Sequence, residues 1–392
     1  MNIDICIINP SLLETATTRG GGCEVSDFNT ALQLSKHNNI IIISTFYKIY
    51  QKKIKINEHF FIKQLPIIAP KSYPTKSNVK SIIQYLITWL SSFFVAFDIV
   101  MLILRKNLKI LIVHNPETAL LPFFIARIMN IKTIYAEGNV TPWYNPFINE
   151  KYVKKKSLAN KIFNYFNFNL KILMCKNAVN IRAQSNSIKN GMVKCGIDPK
   201  KIYVIPAGID SNEFIPTNNI STELTKVGFI GRLNEIKGAP LLLEIVSTAE
   251  RELPEIKFMI FGDGPYLHRF KGLSNVEHLG FIQRDMLNKE LSKVQAILSF
   301  QAELGRAEIE AMAAGKTIIA SNAGEMPNRI KHLDNGILCA PNVQSYINAI
   351  TLLSKNHELL TILSKNAREL IIREYSWNII GKQWLHMCNE LL

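Results

Sequence analysis

The chain has 392 residues, too many for one ordinary core and enough for two domains of common size. Its 47% hydrophobic and 20% charged residues exclude a disordered chain. Six scattered cysteines (Cys6, Cys23, Cys175, Cys195, Cys339, Cys388) with no Cys-x-x-Cys pair argue against a disulfide framework or a zinc site and for a reducing compartment. The net charge of +15 is lopsided: residues 1–205 carry 27 Lys+Arg against 10 Asp+Glu, and the remainder is close to neutral. That asymmetry fits an anionic phospholipid headgroup, a diphosphate-linked lipid or nucleic acid near the first half, or else a solvated basic surface. Nucleic acid ranks last, because the cations follow no recognised binding module.

Met1-Asn2-Ile3-Asp4-Ile5-Cys6-Ile7-Ile8-Asn9-Pro10 reads as a buried first strand, without the basic start and apolar core of a signal peptide. Apolar runs recur at 39–45, 110–114, 131–135, 179–183, 202–205, 226–230, 256–261, 276–281, 295–300 and 317–320, with helical spacing between most of them, as at 25–37, 240–252 and 286–293. Alternating strand and helix predicts parallel sheets covered on both faces. The pattern restarts near residue 226, after a Pro-, Asn-, Ser- and Thr-rich loop at 206–222. The expected architecture is α/β: two Rossmann-like, doubly wound domains (1–205 and 206–372) facing across a cleft, with 373–392 returning to the first.

Residues 82–104 are apolar enough to be weighed as a membrane span. Gln84, Thr88, Ser91 and Asp98, however, fall on one helical stripe, which makes the segment an amphipathic helix with a wide apolar face. Lys71, Lys76 and Lys80 precede it, and Arg105, Lys106 and Lys109 follow, so no charge asymmetry assigns it an inside and an outside. A buried helix, or one whose face touches a membrane or a lipid acceptor, is expected. A second basic, aromatic stretch at 151–171 could rest on the same surface.

Four segments carry candidate chemistry. Arg19-Gly20-Gly21-Gly22-Cys23-Glu24 follows the first strand and opens a helix whose free amides suit a phosphate. Val227–Gly238 ends a strand in Gly231 and then sets two cations, Arg232 and Lys237, five residues apart, as a departing diphosphate requires. Phe261-Gly262-Asp263-Gly264-Pro265 closes another strand, and its glycines are expected to make room for a base or a phosphate. Ser299–Ser321 passes from strand through Glu303, Leu304, Gly305 and Arg306 into an alanine-rich helix carrying Glu310, which Gly315 ends. Loop amides at Leu304–Arg306 are candidates for a sugar hydroxyl or phosphate, and Glu310 for ribose hydroxyls. In the first half, His114 and Glu137 each end an apolar strand and are candidates for the acceptor side, with Glu24.

Together these residues resemble glycosyltransferase family 4, of the GT-B fold. The resemblance rests on Gly231-Arg232, Lys237-Gly238, the Phe-Gly-Asp-Gly-Pro turn, Glu310-Ala-Met-Ala-Ala-Gly and Asn335-Gly336-Ile337-Leu338. Val204–Asp210 with Phe214 is similar to the family's interdomain linker, Gly21–Glu24 to its N-terminal loop, and Tyr375-Ser376-Trp377 to the opening of its return helix. The resemblance implies a metal-independent, retaining hexosyltransferase without a cofactor. Arg232 and Lys237 would hold the diphosphate of a nucleotide sugar and Glu310 its ribose, with Gly22 approaching the diphosphate or acceptor. With the basic first half and the helix at 82–104, the expectation is a lipid-linked or polysaccharide acceptor in cell-surface glycan synthesis, including lipopolysaccharide, and a cytoplasmic protein, peripheral at the inner membrane face. Three departures stand out. The first of the family's two glutamates falls on Ala302, with Glu303 one place later; its Pro-Glu is Pro327-Asn328; and neither His114 nor Glu137 matches its N-terminal histidine securely. A sugar-nucleotide epimerase or a non-catalytic nucleotide-sugar-binding protein remains the alternative.

Overall fold

The computed structural model describes residues 3–9, 22–46, 53–66, 79–138, 143, 158–216 and 223–392. The loop residues 19–21, the lysines at 151 and 154–156, and the side chains of Gln84, Thr88 and Ser91 lie outside the described set. The chain divides into two compact units. One contains the described residues up to 143, residues 158–208 and Ile380–Leu392; the other contains Ile209–Ile379.

The first unit is built on eight strands: β1 Ile5–Ile8, β2 Ile40–Phe46, β3 Lys53–Lys55, β4 Phe60–Pro66, β5 Ile110–Val113, β6 Lys132–Glu137, β7 Asn180–Ala183 and β8 Ile202–Val204. Their order is β3-β4-β2-β1-β5-β6-β7-β8, and every pairing is parallel except β3 with β4. β1 and β5 are buried along their whole length, as continuous apolar runs in a sheet covered on both faces must be. The helices are α1 Gly22–Leu34, α2 Val79–Lys106, α3 Pro116–Ile128, α4 Leu158–Asn177 and α5 Asn186–Lys194. From β4 to β8 the chain steps across the sheet in one direction, so right-handed crossovers place α2, α3, α4 and α5 in one layer. Val95, Ile99, Phe123, Met174 and Ile188 from that layer join Cys6, Ile8, Leu111 and Val113 in one core. Strands β3 and β4 were not legible as apolar runs, because Lys53, Lys55, Lys63 and Gln64 interrupt them.

The second unit holds β9 Lys226–Ile230, β10 Lys257–Phe261, β11 Val276–Gly280, β12 Ala296–Ser299, β13 Thr317–Ser321 and β14 Ile337–Cys339. All pair in parallel, in the order β11-β10-β9-β12-β13-β14. This is the doubly wound order whose direction reverses between β9 and β12, and such sheets bind ligands outside the carboxyl ends of the strands at that reversal. The helices are α6 Ala239–Glu252, α7 Arg284–Leu291, α8 Arg306–Ala313, α9 Met326–Arg329, α10 Val343–Lys355, α11 His357–Tyr375 and α12 Trp377–Asn389. The α/β class and the doubly wound sheets are as the sequence led us to expect.

Candidate active site

At the reversal of the second sheet, two loops leave β9 and β12. Asn234 caps the short 3₁₀ turn Glu235–Lys237: its side chain accepts from the Lys237 amide at 2.9 Å. Lys237 Nζ lies 3.4 Å from Gln301 Oε1, just past β12, and Gln301 Nε2 donates to the Ile236 carbonyl at 3.0 Å. Gln301 thus stitches the β9 loop to the β12 loop and holds Lys237 where the strand order turns. A Cβ built on Gly231 would have Phe229 and the Lys237 Cδ as its nearest neighbours, at 3.6–3.9 Å, so the Lys237 side chain runs beside the Gly231 backbone. Arg232 is exposed and has no partner among the described residues.

The Phe-Gly-Asp-Gly-Pro turn packs tightly against the loop that follows β9. Gly262 sits at φ +144°, and a Cβ there would lie 2.0 Å from the Gly231 carbonyl oxygen; one on Gly264 would lie 2.4 Å from that of Leu233. Leu233 N donates to the Asp263 carbonyl at 2.9 Å, so the two loops are laced backbone to backbone. These glycines fix the shape of the β9 loop and, through it, the Arg232–Lys237 segment.

On α8, Glu310 is 6% exposed. Its Oε1 accepts from Arg284 Nη1 at 2.5 Å and lies 3.2 Å from Arg306 Nε. Arg284, at the start of α7, also donates through Nε and Nη2 to Glu213 at 3.1 and 2.6 Å, and stacks 5.3 Å from the Phe214 ring centroid. Burial works to lower the Arg284 pKa, but Glu310 and Glu213 together hold it above its ordinary value. Glu310 therefore has one oxygen engaged in ion pairs, and its Oε2 accepts no hydrogen bond among the described residues. Sequence reasoning missed Arg284 and Glu213. Their separation from Glu310, 26 and 97 positions along the chain, leaves no local signal.

Glu303 and Leu304 are buried, Gly305 caps α8, and Glu308 accepts from Ser299 Oγ at 2.8 Å. Ala302 is 1% exposed, and its carbonyl accepts from the Glu325 amide at 2.8 Å. The 322–325 loop rests directly on Ala302, since a Cβ on Gly324 would stand 2.8 Å from the Ala302 methyl. A carboxylate-bearing side chain at 302 would have to displace that loop.

In the first unit, the strand order reverses between β1 and β5. His114 Nε2 lies 3.0 Å from Asp27 Oδ2, to which Asn9 Nδ2 also donates at 2.5 Å. Glu137 is buried and accepts at Oε2 from Lys171 at 2.8 Å and from Trp143 Nε1 at 2.9 Å. It centres a hydrogen-bonded cluster, so the geometry favours an anchoring role over an open acceptor base. Gly22 begins α1, and Glu24, half-buried in its first turn, has no partner among the described residues.

Burial opposes protonation of His114, but Asp27 outweighs it and raises the pKa above the ordinary value of about 6.5. A raised folded-state value means that the pair's stabilisation is complete below the unfolded pKa and is lost as pH rises through the folded one. Urea midpoints of the wild type and Asp27→Asn should therefore differ most below about pH 6.5 and converge as pH rises above it. A difference independent of pH would overturn the assignment.

Residues 210–370 match the family described as glycosyl transferases group 1. That match covers nearly the whole of the second unit. Over 208 residues the chain is 26% identical to one subunit of the phosphatidylinositol N-acetylglucosaminyltransferase of Arabidopsis thaliana, covering 50% of this chain and 46% of that protein. The chain spans about half the length of the curated relatives it matches first. Among solved structures, sucrose-phosphate synthase from Thermosynechococcus elongatus superposes with a TM-score of 0.78 at 16% identity, over 100% of this chain and 99% of that one. Anabaena HepE in complex with UDP-glucose gives 0.69 at 14% identity, over 99% and 100%. At these identities the likeness is one of fold: the chain has the GT-B fold. Within the matched residues, Arg232, Lys237 and Glu303–Glu310 all lie in the two loop-and-helix segments that flank the strand-order reversal. Among the described residues no cluster of His, Cys, Asp and Glu could hold a metal ion.

Proposed function

We propose that the protein is a glycosyltransferase that takes a hexosyl unit from a nucleotide-diphosphate sugar and passes it to a lipid-linked or polysaccharide acceptor. The observation that carries this reading is the placement of Lys237 beside Gly231 at the strand-order reversal within the residues that match group 1. In this reading residues 206–372 bind the donor, and residues 1–205 serve the acceptor.

Lys237 and Arg232 bind the diphosphate, and the free oxygen of Glu310 receives ribose hydroxyls. The bond from the anomeric carbon to the phosphate oxygen breaks, and its electron pair stays on the nucleoside diphosphate. The acceptor oxygen bonds to the same face of that carbon, retaining configuration, and its proton passes to the leaving phosphate. Two fixed cations stabilise the charge that rises on the diphosphate. No metal is needed for this step. The basic first half supports a peripheral position on an anionic membrane, and no described helix is long and apolar enough to cross one.

Purified protein should be stabilised against heat by one nucleotide sugar of a panel, by about 2.7 kcal/mol at a hundredfold excess over its Kd. Product analysis with lipid and polysaccharide acceptors should then show transfer. Stabilisation without transfer to any acceptor favours a binding protein; conversion of the nucleotide sugar without acceptor favours an epimerase. If no activated sugar stabilises the chain, the reading fails.

A further inference from the structure

Helix α2 is 28 residues long, about 42 Å, more than twice the length of α3 beside it. Its polarity is reversed from that of a helix lying between core and water. The stripe on which the sequence placed its polar residues continues through Val95 and Asp98, and both are buried. Asp98 points inward, 2.6 Å from Lys63 on β4. The outward face instead carries Leu90, Phe93, Phe94 and Phe97 at i, i+3, i+4 and i+7, with the three phenylalanines 63%, 65% and 66% exposed. Tyr165 and Phe166 are exposed on α4 in the same layer. A contiguous aromatic face of this kind marks a contact surface rather than scattered surface apolars.

Charge decides what covers it. The helix ends in exposed Arg105 and Lys106, and its one acidic residue, Asp98, is buried and paired. Residues 1–205 hold 27 cations against 10 anions, so a second copy brought face to face would meet strong like-charge repulsion. An apolar stripe flanked by cations matches an anionic bilayer, whose headgroups take the charges while the rings enter the acyl boundary. We propose that the outer face of α2 lies in the interface of an anionic membrane, with Phe93, Phe94 and Phe97 inserted and Arg105 and Lys106 on the headgroups. This rests on the peripheral-membrane part of the function proposed above and names the surface responsible.

The test is co-sedimentation of the full chain with vesicles of phosphatidylglycerol and phosphatidylcholine, 1:1, compared with phosphatidylcholine alone. Wild type should bind the anionic vesicles, less in high salt. Phe93→Ser/Phe94→Ser/Phe97→Ser should lose about a hundredfold in partitioning, and the triple Leu variant should retain most of it. All three should melt alike, because the substituted rings are exposed. If wild type binds and the Ser variant binds equally well, this face is wrong while the peripheral-membrane reading stands. If wild type binds no anionic vesicle, that reading falls too, and stabilisation by nucleotide sugars judges the enzyme reading separately. A dimer seen by light scattering, split by the Ser variant and indifferent to vesicles, would make the face an interface between copies and overturn the proposal.

Discussion

Lys237→Ala lowers the turnover of sugar transfer by about 10–10²-fold while leaving the melting temperature essentially unchanged. In the folded chain the Lys237 amide is needed by the Asn234 cap, and alanine keeps it. Its ammonium makes only a 3.4 Å contact with Gln301 and is half-buried, so little of the fold depends on it. Yet it is the cation held at the reversal of the strand order, the place where such sheets bind ligands. As the glycosidic bond breaks, charge accumulates on the diphosphate, and a charge-assisted hydrogen bond there is worth roughly 1.5–3 kcal/mol.

Because that charge is larger in the transition state than in the bound substrate, the loss should fall on kcat more than on KM. Steady-state kinetics with the stabilising donor would read the split. Near-normal turnover in the variant, or a raised KM with kcat intact, would remove Lys237 from the role proposed for it.

Much of this was legible in the sequence because it is local. The two sheets follow from apolar runs buried on both faces, and the β9 and β12 segments from a strand ending in glycine with polar residues next. What the sequence leaves unread has distant causes. Gly262 and Gly264 are also needed because the carbonyls of Gly231 and Leu233, from a loop some 30 residues earlier, stand where a Cβ would go. Asp98 marked a polar stripe, and periodicity alone assigns that stripe no direction; only its pairing with Lys63 turns it inward and the phenylalanines outward. Glu137 looked open at a strand end, until Lys171 on the next helix reached its carboxylate.

Arg284→Gln should destabilise the second unit by about 3 kcal/mol, lowering its melting temperature by roughly 6–12 °C, and should also weaken nucleotide-sugar binding. Both side chains of the Arg284–Glu310 pair are largely shielded from water, so removing the cation leaves a buried carboxylate with Arg306 as its remaining cation. Breaking such a pair costs more than never having made it, because the desolvated charge stays behind. The double variant Arg284→Met/Glu310→Leu separates the two effects. With Arg284 and Glu310 both apolar, the melting temperature should recover only part of the way towards that of the wild type, since apolar groups of similar size fill such sites well but Arg306 loses its Glu310 carboxylate. Donor binding should not return, because no carboxylate remains to receive the ribose hydroxyls. If binding recovers with stability, Glu310 serves the fold alone, and the ion pair with Arg284 is its whole purpose.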